Sequence, residues 1–146
     1  MVLSDETLSA ARERLVTIPD DATLLDAAGR LSAGIDLIAV CNSANTLVGV
    51  ISKTDVVSHI SVGGEISGTA ASSVMSRDLV VCRAMDSVEE ISKLLRDRGL
   101  KNLPIVDDSG RPVGLLTARD MLRSLLLNAE YDEAQLIDYV KGVGYR

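Results

Sequence analysis

Two seven-residue stretches of the same form, GVISKTD at residues 49–55 and GLLTARD at residues 114–120, decide the architecture of this chain. Each consists of a glycine, two aliphatic residues, a hydroxyl residue, two variable residues and an aspartate. The step from residue 49 to residue 114 is 65 positions. Repetition at such a period is typical of chains built from structural repeats, so the flanking sequence is expected to repeat as well.

The flanking sequence does repeat, in the order helix, strand, capped helix, two strands and helix. In copy one the expected elements are a helix from Ser4 or Asp5, a strand at 15–18, a helix from Thr23, strands at 35–41 and 47–51 and a helix at 52–60. In copy two they are a helix at 71–77, a strand at 79–82, a helix from Ser87, strands at 103–106 and 112–116 and a helix from Thr117. One such unit leaves sheet and helix faces uncovered. The chain is therefore predicted to be an α/β protein of tandem β-α-β-β-α repeats packed about a pseudo-twofold axis.

The predicted domains are 7–60 and 71–128, joined by a linker at 61–70 that holds the glycine-rich GGEISG segment. A helical extension is predicted at 129–146. The segment 121–146 carries more leucine, isoleucine and tyrosine than one small module needs, which favours a homodimer.

Composition excludes several classes of function. The chain of 146 residues has a net charge of −6 and a pI near 4.7, which argues against nucleic-acid binding. No apolar run approaches the roughly 20 residues that span a bilayer, and the N-terminus lacks the pattern of a secretory signal, so a cytoplasmic protein is expected. Cys41 and Cys82 end aliphatic runs and are predicted to be reduced packing residues. With His59 as the lone histidine, neither a metal site nor an enzyme is expected.

The repeated stretches allow two interpretations. Ser52-x-x-Asp55 and Thr117-x-x-Asp120 match the capping box that begins a helix, as do Thr23-x-x-Asp26 and Ser87-x-x-Glu90. The first two alone follow a strand that contains a glycine. At such a junction the helix N-terminus can bind phosphate, a carboxylate can accept hydrogen bonds from ribose hydroxyls, and Lys53 and Arg119 add positive charge.

The arrangement resembles the CBS domain family, named after cystathionine β-synthase, in the tandem form called a Bateman module. The resemblance extends from about Thr7 to Leu127. It is carried by the two repeated stretches and by NLPIVDDSGRPVG at 102–114. Copy one departs from the pattern, since Ala39 stands where copy two has Pro104 and the Asp-x-Gly turn is missing.

The resemblance implies a regulatory module that binds an adenosine-containing ligand in clefts between the two domains. AMP is the first expectation, with ADP, ATP, NAD(H) or S-adenosylmethionine as further candidates. The implied nucleotide-binding residues are Thr17, Ile18, Pro19, Ser52, Lys53, Asp55, Val80, Val81, Cys82, Asn102, Leu103, Pro104, Thr117, Arg119 and Asp120. Binding would change a homodimer that engages an unknown regulated protein. The alternative is a ligand-free dimerisation or scaffold module with vestigial clefts.

Overall fold

The structure, a computed structural model, describes residues 1–127. The extension predicted at 129–146 lies outside the described residues. In copy one the elements are α1 (Asp5–Arg14), β1 (Thr17–Pro19), α2 (Leu24–Ser32), β2 (Leu37–Cys41), β3 (Leu47–Ser52) and α3 (Lys53–Ser61). A 3₁₀ turn follows at Ala71–Ser73, and copy two continues with α4 (Val88–Arg98), β4 (Asn102–Val106), β5 (Pro112–Thr117) and α5 (Ala118–Leu126). The predicted α/β architecture of two packed repeats is confirmed.

The two sheets have the same register between their antiparallel strands, but the first has three strands and the second has two. In copy one β2 pairs parallel with β1 and antiparallel with β3. In copy two β4 and β5 form an antiparallel pair. In place of a strand equivalent to β1, a single residue, Cys82, forms a parallel bridge to Ile105 of β4. The equivalent pair in copy one is Ile18 of β1 with Val40 of β2. The strand predicted at 79–82 is therefore wrong as a strand, although its position beside β4 is right.

The helix predicted at 71–77 is also wrong, since only the 3₁₀ turn at Ala71–Ser73 forms. Ala70 offers no side chain to cap a longer helix. Ser76 instead pairs in extended form with Val50 of β3, through reciprocal backbone hydrogen bonds of 3.0 and 2.8 Å. Pairing with a strand edge thus replaces the helix that α1 forms in the first copy.

The turn of copy one is closer to that of copy two than the sequence indicates. The Asn42 side-chain oxygen accepts hydrogen bonds from two backbone N–H groups of its turn, each 3.0 Å, and Asp107 Oδ1 accepts two of 2.9 Å. Asn45 takes φ +63°, where Gly110 takes φ +79°. Asparagine tolerates the left-handed conformation, so it replaces the glycine at this position.

The hydrophobic cores do not follow the order of the chain. Leu3 and Ala11 of the N-terminal segment lie in the core of copy two, with the buried residues of α4, β4, β5 and α5. Ala71 and Met75, which follow the linker, lie in the core of copy one. The first segment of each copy therefore covers the core of the other copy. A third cluster of Ala39, Leu47 and Val106 joins the two repeats.

The glycines of the repeated stretches permit this exchange. A Cβ placed on Gly114 would lie 3.2 Å from the Cβ of Ala11 in α1, and one placed on Gly49 would lie 2.9 Å from the Cβ of Met75. Both glycines therefore let a covering segment approach a strand closely. They are packing residues first.

We expect Gly49→Ala to lower the free energy of unfolding by about 1–3 kcal/mol, because the added methyl group overlaps Met75. Gly29→Ala is the matched control, since Gly29 lies inside α2 with nothing within 4 Å of an added Cβ. It should raise stability by about 0.5–1 kcal/mol, the usual gain from replacing a helical glycine. Urea unfolding of both variants measures the contrast, and equal changes would contradict the close approach of Met75.

Candidate functional site

The four predicted helix caps form, but only two are reciprocal. Thr23, Ser52, Ser87 and Thr117 each accept a hydrogen bond from the backbone N–H three residues later. The returning bond, from the cap's own N–H to the carboxylate, is present at Asp55 and Asp120. The complete capping box thus distinguishes the two repeated stretches from the other two caps. The spacing of the hydroxyl and acidic residues in the sequence is the same at all four and does not distinguish them.

Asp120 accepts three hydrogen bonds at the start of α5. Its Oδ2 accepts hydrogen bonds from the Thr117 backbone N–H, at 3.0 Å, and from Arg14 Nη1, at 2.7 Å. Its Oδ1 lies 3.3 Å from Arg14 Nη2. The residue is 8% exposed and is the one buried charged residue among residues 1–127. The fork-like guanidinium explains how this charge is tolerated in a partly buried position.

Asp55 has a simpler environment at the start of α3. Its Oδ2 accepts from the Ser52 backbone N–H at 2.8 Å and from Ser52 Oγ at 3.1 Å. Within residues 1–127 no cation forms an ion pair with it. The two matched motifs are therefore electrostatically different.

A cavity of about 770 Å³ opens between the repeats at the start of α5. Copy one contributes Arg14 and Asp36, and copy two contributes the remaining lining residues, Lys101, Asn102, Thr117, Ala118, Arg119, Asp120, Leu122 and Arg123. Four of the predicted residues, Asn102, Thr117, Arg119 and Asp120, thus meet in one cavity. Its size suits a small organic ligand.

The residues predicted on the first strand of copy one do not line this cavity. Thr17, Ile18 and Pro19 line a separate cavity of about 560 Å³ against α2. Ser52, Lys53 and Asp55 line neither of these cavities, nor a third of about 280 Å³ beside α1 and α5.

The remaining predicted residues pack inside the protein. Leu103 and Cys82 are buried in the core of copy two, Val80 packs on that core, and Val81 packs on the cluster between the repeats. Pro104 is buried as well, and its carbonyl accepts a backbone hydrogen bond of 3.0 Å from Cys82. Burial, with a smaller contribution from the charge of Asp86, raises the pKa of Cys82 to about 12, so its thiol stays protonated at neutral pH.

Sequence reasoning missed Arg14, Asp36, Lys101 and Arg123. A signal existed for Arg123, which follows Arg119 by four residues and so shares its helix face. Lys101 directly precedes the predicted Asn102. Arg14 and Asp36 gave no signal, because they reach the cavity only through the packing of copy one against copy two.

The described residues offer a cleft with one buried carboxylate and four cationic side chains. Such a set can hold a ligand that carries both hydroxyl donors and an anionic group. Groups of histidine, cysteine and acidic residues arranged to hold a metal are not found within residues 1–127. Nor does this part of the chain contain a helix of the length and apolar character needed to cross a membrane.

Two relatives cover most of this chain. Protein MJ1404 of Methanocaldococcus jannaschii is 26% identical over 123 residues, which are 84% of this chain and 29% of that protein. Protein MK0525 of Methanopyrus kandleri is 30% identical over 115 residues, 77% of this chain and 59% of that protein. The chain therefore spans less than two thirds of the length of either relative.

Solved structures of similar fold include ligand complexes. The CBS domain pair of protein MJ0100, in complex with 5′-methylthioadenosine and S-adenosyl-L-methionine, has a TM-score of 0.69 and 19% identity, covering 81% of this chain and 93% of that one. CBSX2 in complex with AMP has a TM-score of 0.69 and 24% identity, covering 82% and 95%. The cytosolic domain of the Mg²⁺ channel MgtE in complex with ATP has a TM-score of 0.66 and 25% identity, covering 82% and 52%.

The sequence also matches the CBS domain family twice, over residues 4–62 and 71–127. These two spans contain both repeated stretches and every element from α1 to α5. Sequence, fold and internal repetition agree, and the chain belongs to the CBS domain family, as a tandem pair of CBS domains.

Proposed function

We propose that this chain is a regulatory module that binds an adenosine nucleotide in the cleft between its two CBS domains. The observation that carries the proposal is the cavity at the start of α5, which brings Asp120 and Thr117 together with Arg14, Lys101 and Arg119. Phosphate is favoured at the N-terminus of a helix and beside cations, and a carboxylate suits ribose hydroxyls.

The similar structures support the ligand class. The ligands in those complexes, AMP, ATP, 5′-methylthioadenosine and S-adenosyl-L-methionine, all contain adenosine. Fold alone does not define function, so the proposal rests on the cavity residues of this chain and the ligands serve as analogy. The nucleotide would act by binding one arrangement of a homodimer better than another, because a ligand shifts an equilibrium only through differential affinity.

A nucleotide panel tests the proposal. AMP, ADP, ATP, NAD⁺, NADH and S-adenosylmethionine are added separately to the protein, and the unfolding transition is measured. A ligand at 100 times its dissociation constant should stabilise the folded state by about 2.7 kcal/mol. The same samples, assayed for conversion of ATP to ADP or AMP, test the expectation that the module does not hydrolyse its ligand.

Paired variants assign the cleft. Asp120→Asn should weaken binding more than Asp55→Asn, since Asp120 lines the large cavity and Asp55 does not. The absence of any stabilisation at millimolar concentration would reject the nucleotide-binding proposal. The scaffold alternative has its own support in the exposed Val57 and Ile60 of α3, which are 63% and 50% accessible.

A further inference from the structure

The ion pair between Arg14 and Asp120 joins α1 to α5 at the wall of the candidate cleft. Arg14 ends α1, and Asp120 lies in the first turn of α5. Besides its two contacts with the carboxylate, Arg14 Nη1 donates a hydrogen bond of 2.6 Å to the carbonyl of Leu115. Asp120 is almost wholly buried, whereas the Arg14 side chain is 34% exposed and lines the cavity.

The internal repeat shows that this pair is not required by the fold. Because Leu15 aligns with Leu79, the position equivalent to Arg14 in copy two is Asp78, which forms an ion pair with Arg98 instead. The carbonyl equivalent to that of Leu115 belongs to Val50, and it accepts the backbone N–H of Ser76. The arginine thus distinguishes the surroundings of Asp120 from those of Asp55.

Both carboxylate oxygens of Asp120 already have protein donors. These three bonds leave about one acceptor site of the carboxylate free, so a ribose that donates both of its hydroxyl groups must take at least one place now held by Arg14. The guanidinium then loses part or all of its contact with the carboxylate in a partly buried position, which is unfavourable unless another anion replaces it. A neutral nucleoside supplies the hydroxyl groups but no such anion.

The rest of the cavity favours an anion at this point. Lys101, Arg119 and Arg123 line it together with Arg14, and Asp36 is the other carboxylate. A phosphate group would be attracted by these cations. S-adenosylmethionine carries a carboxylate but also a sulfonium and an ammonium group, so its net charge is positive and these cations attract it less than a phosphate.

We propose that Arg14 determines ligand specificity by exchange of partners: the ribose hydroxyls of a nucleotide replace Arg14 at Asp120, and its phosphate replaces Asp120 at Arg14. The inference rests on the proposed nucleotide binding and names the ligand class, adenosine carrying at least one phosphate. Adenosine itself is the discriminating probe, because it differs from AMP only in that phosphate.

The experiment measures the dissociation constants of AMP and adenosine by calorimetry for the wild-type chain, Arg14→Gln and Arg12→Gln. Arg12 is an exposed arginine of the same helix without an ion pair in the described structure, so its variant controls for net charge. The wild type should bind AMP about tenfold or more tighter than adenosine, the size expected from one charged hydrogen bond. In Arg14→Gln this preference should fall about tenfold, while adenosine binds as well as before or better. Arg12→Gln should keep the wild-type preference.

Two results would overturn the inference. If the preference for AMP is unchanged in Arg14→Gln, whether or not both compounds bind more weakly, Arg14 does not determine specificity and the proposed nucleotide binding survives. If the wild-type chain binds neither compound, both the inference and the proposed function are rejected.

Discussion

Replacing Asp120 by alanine should lower the free energy of unfolding by about 3 kcal/mol, whereas Asp55→Ala should cost only about 1 kcal/mol. Both changes remove the reciprocal bond of a capping box and leave the hydroxyl cap in place. Only the first also removes the charged partner of Arg14, which bridges two elements more than 100 residues apart in sequence. The matched motifs therefore isolate the contribution of the ion pair.

Urea unfolding of the two single variants measures this difference, and Arg14→Gln with the Arg14→Gln/Asp120→Ala double variant completes a cycle. We expect a coupling between Arg14 and Asp120 of roughly 1–3 kcal/mol, since residues of one network are not additive. Equal losses in Asp120→Ala and Asp55→Ala, with no coupling, would mean that the pair contributes nothing beyond helix capping. Raised salt should reduce the coupling only in part, because Asp120 is buried.

Ala11→Leu should lower the free energy of unfolding by about 1–3 kcal/mol. The change should disturb the core of copy two, although Ala11 lies at the start of copy one. Ala11 is fully buried, and its Cβ lies 3.2 Å from the position that a Cβ on Gly114 would take. A larger side chain at this contact must push α1 away from β5. Ser9→Leu adds the same side chain at an exposed position of α1 and should change stability by no more than about 0.5 kcal/mol.

Hydrogen exchange locates the effect of Ala11→Leu. The backbone amides of β4 and β5 should lose protection before those of β2 and β3, because α1 covers the core of copy two. Loss of protection in β2 and β3 first would show that α1 stabilises copy one instead. The experiment thus tests the exchange of covering segments between the repeats.

The positions at which the capped helices begin were predictable from local sequence patterns. Ser52 and Thr117 cap their helices as expected, because a cap involves neighbours within three residues. The aliphatic runs likewise indicated β2 to β5. The helix predicted at 71–77 and the strand predicted at 79–82 were wrong, because both predictions relied on symmetry with copy one. The backbone groups of these segments instead pair with Val50 and Ile105, in contacts that no local pattern records.

The candidate site was predictable only where it lies within one repeat. Asn102, Thr117, Arg119 and Asp120 come from neighbouring elements of copy two, and they line one cavity. The predicted strand residues followed from resemblance, and the structure places most of them in packing positions or in another cavity. Whether they contact ligand stays a prediction.

By itself, the sequence determined the two repeats, their capped helices and the carboxylate at the start of α5, because these features depend on short-range hydrogen bonding and the periodicity of apolar residues. Only the tertiary structure decided that α1 covers the second repeat and that Arg14 reaches Asp120. Contacts across more than 100 residues follow from how two cores share their covering segments. The two motifs share one pattern, but different charges surround them in the folded chain. We expect the cations around Asp120 to make its cleft favour phosphate.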